Sequence, residues 1–352
     1  MLHKKYIREA AYYNTLGDGR VQCTLCPHMC IIPEGRRGLC GVRENIGGKL
    51  HTLNYALVSS LAIDPIEKKP LFHFYPEAPI ISISTVGCNF KCPWCQNWSI
   101  SQVGPEDLYY HDYIPPEEMR DRIRKYGVPF LAFTYNEPII WYEYMLDVAK
   151  LVKKDGVKVV LVTNGHINLE PLDELIPYID AVNVDVKAFN PNTYTRYIKG
   201  KLEGVLQATK ELKDRGIHVE TTYLVIPDLN DSVDEFRKMV KWHIDALGDE
   251  TPLHISRFFP YYKFIDKIPT PIDKLEELWK VAREEGILYA YVGNLPGHRG
   301  ENTYCPSCGK PVIKRIGFEI ISWKLNDENR CKYCDHRIAI TGHRWRGRSI
   351  WI

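Results

Sequence analysis

Between residues 79 and 293 the chain alternates two kinds of pattern. Apolar, β-rich runs occupy 80–84, 130–134, 157–163, 181–186, 218–226, 253–258 and 288–292. Amphipathic stretches with helix-start signals lie between most of them. Pro115-Pro116-Glu117-Glu118 opens one, with proline and acids in its first turn; Pro138 opens the next, which stops at Asp155-Gly156. Asp231-Ser232-Val233-Asp234-Glu235 and Pro271-Ile272-Asp273 open two more. Strands separated by helices predict βαβ units and a parallel sheet, hence an α/β protein. About six repeats suit a partial (β/α)6 barrel of TIM type, and an open doubly wound sheet fits the same periodicity.

The flanks read differently. In residues 1–50 the punctuation by Pro27, Pro33, Gly35, Gly38, Gly41, Gly47 and Gly48 breaks any long period, which predicts a loop-rich knot. Residues 51–63 and 71–75 read as short strands. Asp64-Pro65-Ile66-Glu67-Lys68-Lys69-Pro70 between them reads as a solvated turn pinned by two prolines. Leu295-Pro296-Gly297-His298-Arg299-Gly300 reads as a linker. The expected division is therefore 1–78, 79–295 and 296–352.

Composition narrows the class. The chain has 352 residues, 45% of them apolar and 26% charged, as ordinary globular proteins do. A net charge of +2 gives no global field for nucleic acid or an acidic membrane. No apolar run approaches a membrane span, and the start lacks the apolar core of a signal peptide, so a cytoplasmic location is expected.

Eleven cysteines change the picture most. They fall into three groups: Cys23, Cys26, Cys30 and Cys40; Cys88, Cys92 and Cys95; Cys305, Cys308, Cys331 and Cys334. Disulfides would leave one over, whereas metal sets need no even total. The first group is C-x2-C-x3-C-x9-C, four thiolates that suit zinc or iron–sulfur equally. His28 is expected to sit beside that set rather than complete it. The last group, C-x2-C-x22-C-x2-C, has the two knuckles of a zinc ribbon or a rubredoxin-like iron site. The middle group has only three thiols, at C-x3-C-x2-C spacing on a loop directly after a predicted strand. Three thiolates can hold three irons of a [4Fe–4S] cube and leave the fourth open to chemistry. A zinc site with a distant fourth ligand is the alternative.

With Trp94 inside it, this C-x3-C-x-(aromatic)-C string resembles the signature of radical S-adenosylmethionine (radical SAM) enzymes. The string Gly87 to Trp98 is similar to the branch that includes pyruvate formate-lyase activating enzyme. Cys23-Thr24-Leu25-Cys26-Pro27-His28, Cys40-Gly41-Val42-Arg43-Glu44 and the Asp64 to Leu71 stretch resemble the radical SAM member of the AmmeMemoRadiSam group. The resemblance implies a partial barrel and a [4Fe–4S] cluster on Cys88, Cys92 and Cys95. It implies S-adenosylmethionine as cosubstrate, cleaved by one electron to a 5′-deoxyadenosyl radical. It also implies a ferredoxin- or flavodoxin-type electron donor and, as in activases, hydrogen abstraction from a protein. Asn136-Glu137-Pro138 matches the family's Gly-Gly-Glu-Pro, which meets the methionine amine, with Tyr135 and Asn136 in place of the glycines. Thr163-Asn164-Gly165 matches a Thr-Asn-Gly near methionine or ribose, with Val162 where the activase has aspartate. Asp185-Val186-Lys187 matches an Asp-Leu-Lys that contacts ribose and carboxylate. Tyr262 stands where the activase has a histidine near adenosine. The backbone around Trp94 is where the family reads the adenine edge.

The tail is basic: from His298 on there are eleven Lys/Arg against five Asp/Glu. His343-Arg344-Trp345-Arg346-Gly347-Arg348-Ser349-Ile350-Trp351 interleaves arginine with tryptophan, which suits RNA; a tail packing its tryptophans on the barrel is the favoured reading. Two alternatives stand beside the activase reading. One is radical SAM modification of RNA or another non-protein substrate. The other is a nucleic-acid-binding zinc protein without turnover.

Overall fold

The computed structural model describes residues 4–347; the tail positions Arg348, Ser349, Ile350 and Trp351 lie outside the described residues. Its centre is an eight-stranded sheet: β1 (Ser60–Pro65), β2 (Pro79–Ser84), β3 (Phe130–Phe133), β4 (Lys158–Thr163), β5 (Ala181–Asp185), β6 (His218–Val225), β7 (Leu253–Arg257) and β8 (Ala290–Gly293). The spatial order is the order along the chain, β1 to β8, with no reversal. A doubly wound sheet reverses its strand order, so sequential order decides for the partial barrel. β2 to β8 run parallel. β1 runs antiparallel to β2, pairing Ser60 with Ser84 and Pro65 with Pro79. That eighth strand is a departure from the six-repeat expectation. β1 and β8 are the sheet's two edges, so the barrel is open on one side.

Six helices cover the outside: α1 (Pro116–Tyr126), α2 (Tyr142–Lys153), α3 (Leu169–Leu175), α4 (Leu202–Asp214), α5 (Val233–Leu247) and α6 (Ile272–Glu284). Their ends follow from sequence. α1 starts at Pro116 with Glu117 and Glu118 and stops at Gly127 in the left-handed region. The Ser232 side chain caps α5 by accepting from the Glu235 amide. Alternate strand residues then face outward: Ile81, Ile83, Leu131, Phe133, Val159, Leu161, Val182 and Val184 pack with Met119, Ile123, Val148, Leu172 and Val205 in one core. The other alternates, Ile80, Phe130, Ala132, Val160 and Ala181, meet Ile66, Leu71, Phe74 and Ala78.

That inner contact corrects two expectations. Residues 71–75 form no strand; apart from a single bridge from Phe74 to Thr341, they belong to a plug that closes the N-terminal end of the barrel. The Asp64 to Pro70 stretch is not solvated: Asp64, Glu67 and Lys69 are buried. Lys69 Nζ donates to Asp64 Oδ2 at 2.5 Å, Lys68 Nζ to Asp64 Oδ1 at 2.8 Å, and the Tyr135 hydroxyl also donates to Asp64. The charges compensate one another, which permits their burial.

The plug joins barrel to tail. Glu220 on β6 accepts from the amides of Phe72 (3.0 Å) and His73 (2.7 Å). His73 lies 2.5 Å from the Tyr291 hydroxyl and 2.8 Å from the Ala339 carbonyl. Beyond it, Thr303–Tyr304, Pro311–Ile316 and Glu319–Trp323 form a small antiparallel sheet. At the other end of the chain two three-stranded sheets, containing Val21–Cys23 and Arg43–Ile46, pack over the outer core. No helix is long and apolar enough to cross a membrane among the described residues.

Candidate metal and cofactor site

The three-thiol loop leaves the C-terminal end of β2, and successive strand ends strap it down. Asn136, after β3, accepts from the Thr85 amide (3.2 Å) and donates to the Gly87 carbonyl (2.9 Å). Asn97 Nδ2 donates to the Tyr135 carbonyl at 2.6 Å. Asn89 Nδ2 donates to the His166 carbonyl at 3.0 Å. The Lys91 amide reaches the Ile198 carbonyl (2.8 Å), and the Lys263 amide reaches the Pro93 carbonyl (2.9 Å). Phe90 lies in a slot that only glycine leaves open, since a Cβ on Gly200 would stand 2.3 Å from its ring. Burial raises the Cys88 thiol well above its ordinary range and pushes Cys92 up to about 12. Thiols so placed become thiolates only beside a strong cation such as a metal.

Glu137 is the hub of the polar groups. Its Oε1 accepts from Thr163 Oγ1 at 2.6 Å and its Oε2 from the Asn164 amide at 2.8 Å, and it also caps the turn at the Ile139 amide, 3.0 Å away. Burial lifts its carboxyl to about 7 against the pull of these donors. Asn164 Nδ2 in turn lies 3.9 Å from Cys88 Sγ and 2.8 Å from Asn89 Oδ1. Lys187 Nζ pairs with Asp185 at 2.7 Å. Burial opposes its charge, but Asp185 and the Cys92 sulfur hold the ammonium above the usual lysine range. So Asn136, Glu137, Thr163, Asn164, Asp185 and Lys187 stand at consecutive strand ends near the cysteines. Trp94 is buried with its ring on Phe264, 5.6 Å between centroids. Tyr262 stacks on Trp98 at 5.4 Å and 12°, so its ring face already has a partner.

The flanking thiol sets differ in spacing. Cys305, Cys308, Cys331 and Cys334 bring all four sulfurs within 4.8 Å of one another, with Cys305–Cys334 at 3.5 Å and Cys308–Cys331 at 3.8 Å. Four thiolates about 2.3 Å from one tetrahedral ion are about 3.8 Å apart, so this set fits a single ion. Cys23, Cys26, Cys30 and Cys40 instead line one cavity of about 20 Å³ with Leu25, Ile32, Arg43 and Asn89. His28 lines the same cavity, and its Nε2 lies 2.7 Å from the Asn89 carbonyl, on the three-thiol loop.

A family model described as the radical SAM superfamily matches residues 82–242. An uncharacterized protein of Methanocaldococcus jannaschii is 47% identical over 335 residues, 95% of this chain and 99% of that protein. The chain belongs to the radical SAM superfamily. The pyruvate formate-lyase-activating enzyme of Clostridium pasteurianum is 24% identical over 163 residues, 44% of this chain and 64% of that enzyme. Pyruvate formate-lyase 1-activating enzyme of Escherichia coli K12 is 23% identical over 182 residues, 50% and 72% of the two chains. A radical SAM methyltransferase from Sphaerobacter thermophilus superposes with a TM-score of 0.49 at 17% identity, covering 65% of this chain and 71% of that one. This radical SAM protein is thus an enzyme of the activase-like branch, and its family implies an iron–sulfur cluster and S-adenosylmethionine.

Several residues around the radical SAM loop carry no signal in the sequence. Asn89 and Asn97 tie the loop down, and Ser101 Oγ lies 3.1 Å from Cys95 Sγ. Their neighbourhood to the cysteines is the only hint the chain offers. Tyr135 stands at φ 69°, a conformation that a glycine would take without strain. Its bond to Asp64 holds it there.

Proposed function

We propose that this radical SAM enzyme holds a [4Fe–4S] cluster on Cys88, Cys92 and Cys95 and abstracts hydrogen from a protein. The observation that carries the reading is a three-thiol loop encircled by polar strand ends. The donor set is one short of a cube's four irons, and Glu137 and Asn164 sit beside it, where an amine and a carboxylate on the open iron need partners. The cluster with bound S-adenosylmethionine supplies a 5′-deoxyadenosyl radical. The chain's own residues do the rest. Glu137 accepts from the methionine amine, and Lys187 pairs with its carboxylate. Thr163 and Asn164 line the methionine and ribose, and Asp185 accepts from the ribose. The backbone at Trp94 reads the adenine edge, Tyr262 walls the adenosine side, and Asn136 holds the loop at Thr85 and Gly87. The loop's burial keeps water from the radical.

A protein substrate is favoured by the activating enzymes in the same branch. The tail counts against RNA: Arg344 is paired with Glu77, Arg346 with Asp327, and the Trp345 ring lies 5.7 Å from Phe130. Residues 1–78 and 296–352 are read as metal-bearing modules on a core at 79–295, the latter holding zinc, in a reducing cytoplasm with a ferredoxin- or flavodoxin-type donor.

The test is anaerobic. Dithionite and S-adenosylmethionine should release 5′-deoxyadenosine from the reconstituted protein and not from a Cys88/Cys92/Cys95→Ala variant; equal release from both would sink the assignment. A cell-extract fraction that stimulates release should lose its effect after protease treatment and keep it after ribonuclease. The reverse pattern would move the substrate to RNA.

A further inference from the structure

The four N-terminal thiols sit back to back with the three-thiol loop. A Cβ on Gly87 would stand 2.7 Å from the Cys40 carbonyl oxygen, so the Cys40 backbone touches the residue before Cys88. His28, between Cys26 and Cys30, meets the Asn89 carbonyl. Cys23, Leu25, Cys40 and Val42 share one core with Val86, Phe90, Cys92 and Trp94. On the outer side Met29, Ile31 and Leu39 are exposed. The set therefore lies between solvent and the radical SAM loop.

Its cavity combines four thiols with a buried N–H donor that lacks an acceptor among the described residues. Arg43 lines it at 1% exposure. Arg43 Nη1 donates to the Ala11 carbonyl at 2.9 Å and lies 3.8 Å from Cys23 Sγ, and Nη2 pairs with Glu143. Its Nε is buried with no partner among the described residues. A buried N–H without an acceptor is costly, and the bridging sulfides of an iron–sulfur cluster are acceptors that a lone zinc ion does not bring. Among the described residues, it is the C-terminal four whose sulfurs crowd to within 4.8 Å as a single ion requires. Thiolates on a cube are held further apart, because the irons and sulfides lie between them.

We propose that Cys23, Cys26, Cys30 and Cys40 hold a second [4Fe–4S] cluster that passes electrons to the cluster on Cys88, Cys92 and Cys95; this rests on the function proposed above. One electron moves from a low-potential one-electron donor, which is oxidised, to the outer cluster, and then to the inner cluster, which it reduces. An N–H donor to sulfur, such as Arg43, raises a cluster's potential and so eases the outer cluster's uptake of the electron from the donor.

Two measurements on the full chain test it. After anaerobic reconstitution, iron and acid-labile sulfide should be about eight each per chain in the wild type and about four each in the Cys88/Cys92/Cys95→Ala variant. Zinc without sulfide in that variant overturns the second cluster. In the dithionite-reduced wild type, two clusters this close should couple, broadening the EPR spectrum. The spectrum should narrow in the triple variant and in Cys26→Ala/Cys30→Ala. Two clusters with uncoupled spectra overturn the relay. If the triple variant keeps every iron of the wild type, the function proposed for Cys88, Cys92 and Cys95 fails while the outer cluster stands. The triple variant leaves all four outer thiols intact, so the result does not depend on the outer variant folding.

Discussion

Gly87→Ala tests the contact between the two thiol sets at its narrowest point. A methyl group there would meet the Cys40 carbonyl oxygen and Val42 Cγ1, both at 2.7 Å, where ordinary contact begins near 3.4 Å. Something must retreat by about 0.7 Å, the difference between those distances. The backbone is also at φ +91°, outside the conformations an alanine favours. Strain of that kind costs on the order of 1–3 kcal/mol, and overpacking adds about as much, so the expected loss is about 2–6 kcal/mol. The retreat displaces the loop carrying Cys88. A 1 Å misplacement at a reacting centre costs about a hundredfold, so 0.7 Å should slow 5′-deoxyadenosine release roughly twenty- to thirtyfold. The assay pairs anaerobic urea unfolding with the release rate. Gly17→Ala is the control, because nothing lies within 4 Å of its would-be Cβ. A Gly87→Ala protein within about 0.5 kcal/mol of wild type and releasing product at the same rate would refute the contact as described.

Three further expectations are independent of that one. Glu143→Gln leaves the buried Arg43 without its carboxylate and should cost about 3–5 kcal/mol in urea unfolding; an Arg43→Met/Glu143→Leu pair should recover most of it, and a harmless single variant would contradict the burial of the pair. His243 is held down to about 4 by burial, between Thr221 and Thr251, against an ordinary value of 6.5. The folded state binds fewer protons than the unfolded state in that window, so stability should fall by on the order of 3 kcal/mol as pH drops through it. His243→Gln should flatten the slope, and an unaltered slope would tell against a neutral buried ring. Cys308→Ser/Cys331→Ser should lose about one zinc per chain by elemental analysis and lower the melting temperature; iron in place of zinc would change the metal assigned to the tail.

Most barrel strands were legible because a strand covered on both faces is a largely apolar run, as Lys158–Thr163 is, while Ala181–Asp185 sets Val182 and Val184 against Asn183 and Asp185. β1 was legible as a strand within 51–63 but not as part of the barrel, because antiparallel pairing to β2 is set by the hairpin's register and leaves no mark in composition. The Asp64 to Pro70 stretch misled because charge predicts solvent only when it is unpaired. Asp64 meets Lys68, Lys69 and Tyr135, and the last of these lies 71 residues away. The cysteine groups were legible from spacing, and the strand-end residues from order along the chain. That the C-terminal sulfurs close on a single ion while the N-terminal four surround a cavity depends on backbone paths, which spacing does not contain. Tyr262 follows β7 in a short turn, Tyr262–Phe264, and its stacking on Trp98 joins residues far apart in sequence.

The plug beneath the barrel has a consequence for biosynthesis. Its hydrogen bonds reach Ala339 and Thr341, with the Thr341 amide 2.8 Å from the His73 carbonyl and its hydroxyl 2.9 Å from His218. Ala339 and Thr341 follow the last barrel strand, β8, by more than forty positions. On a nascent chain all eight barrel strands and all eleven cysteines, the last of them Cys334, emerge before the floor has these partners. Docking of the segment just after Cys334 is therefore what latches the floor, and a chain stalled short of it would present an assembled rim over an unsealed base.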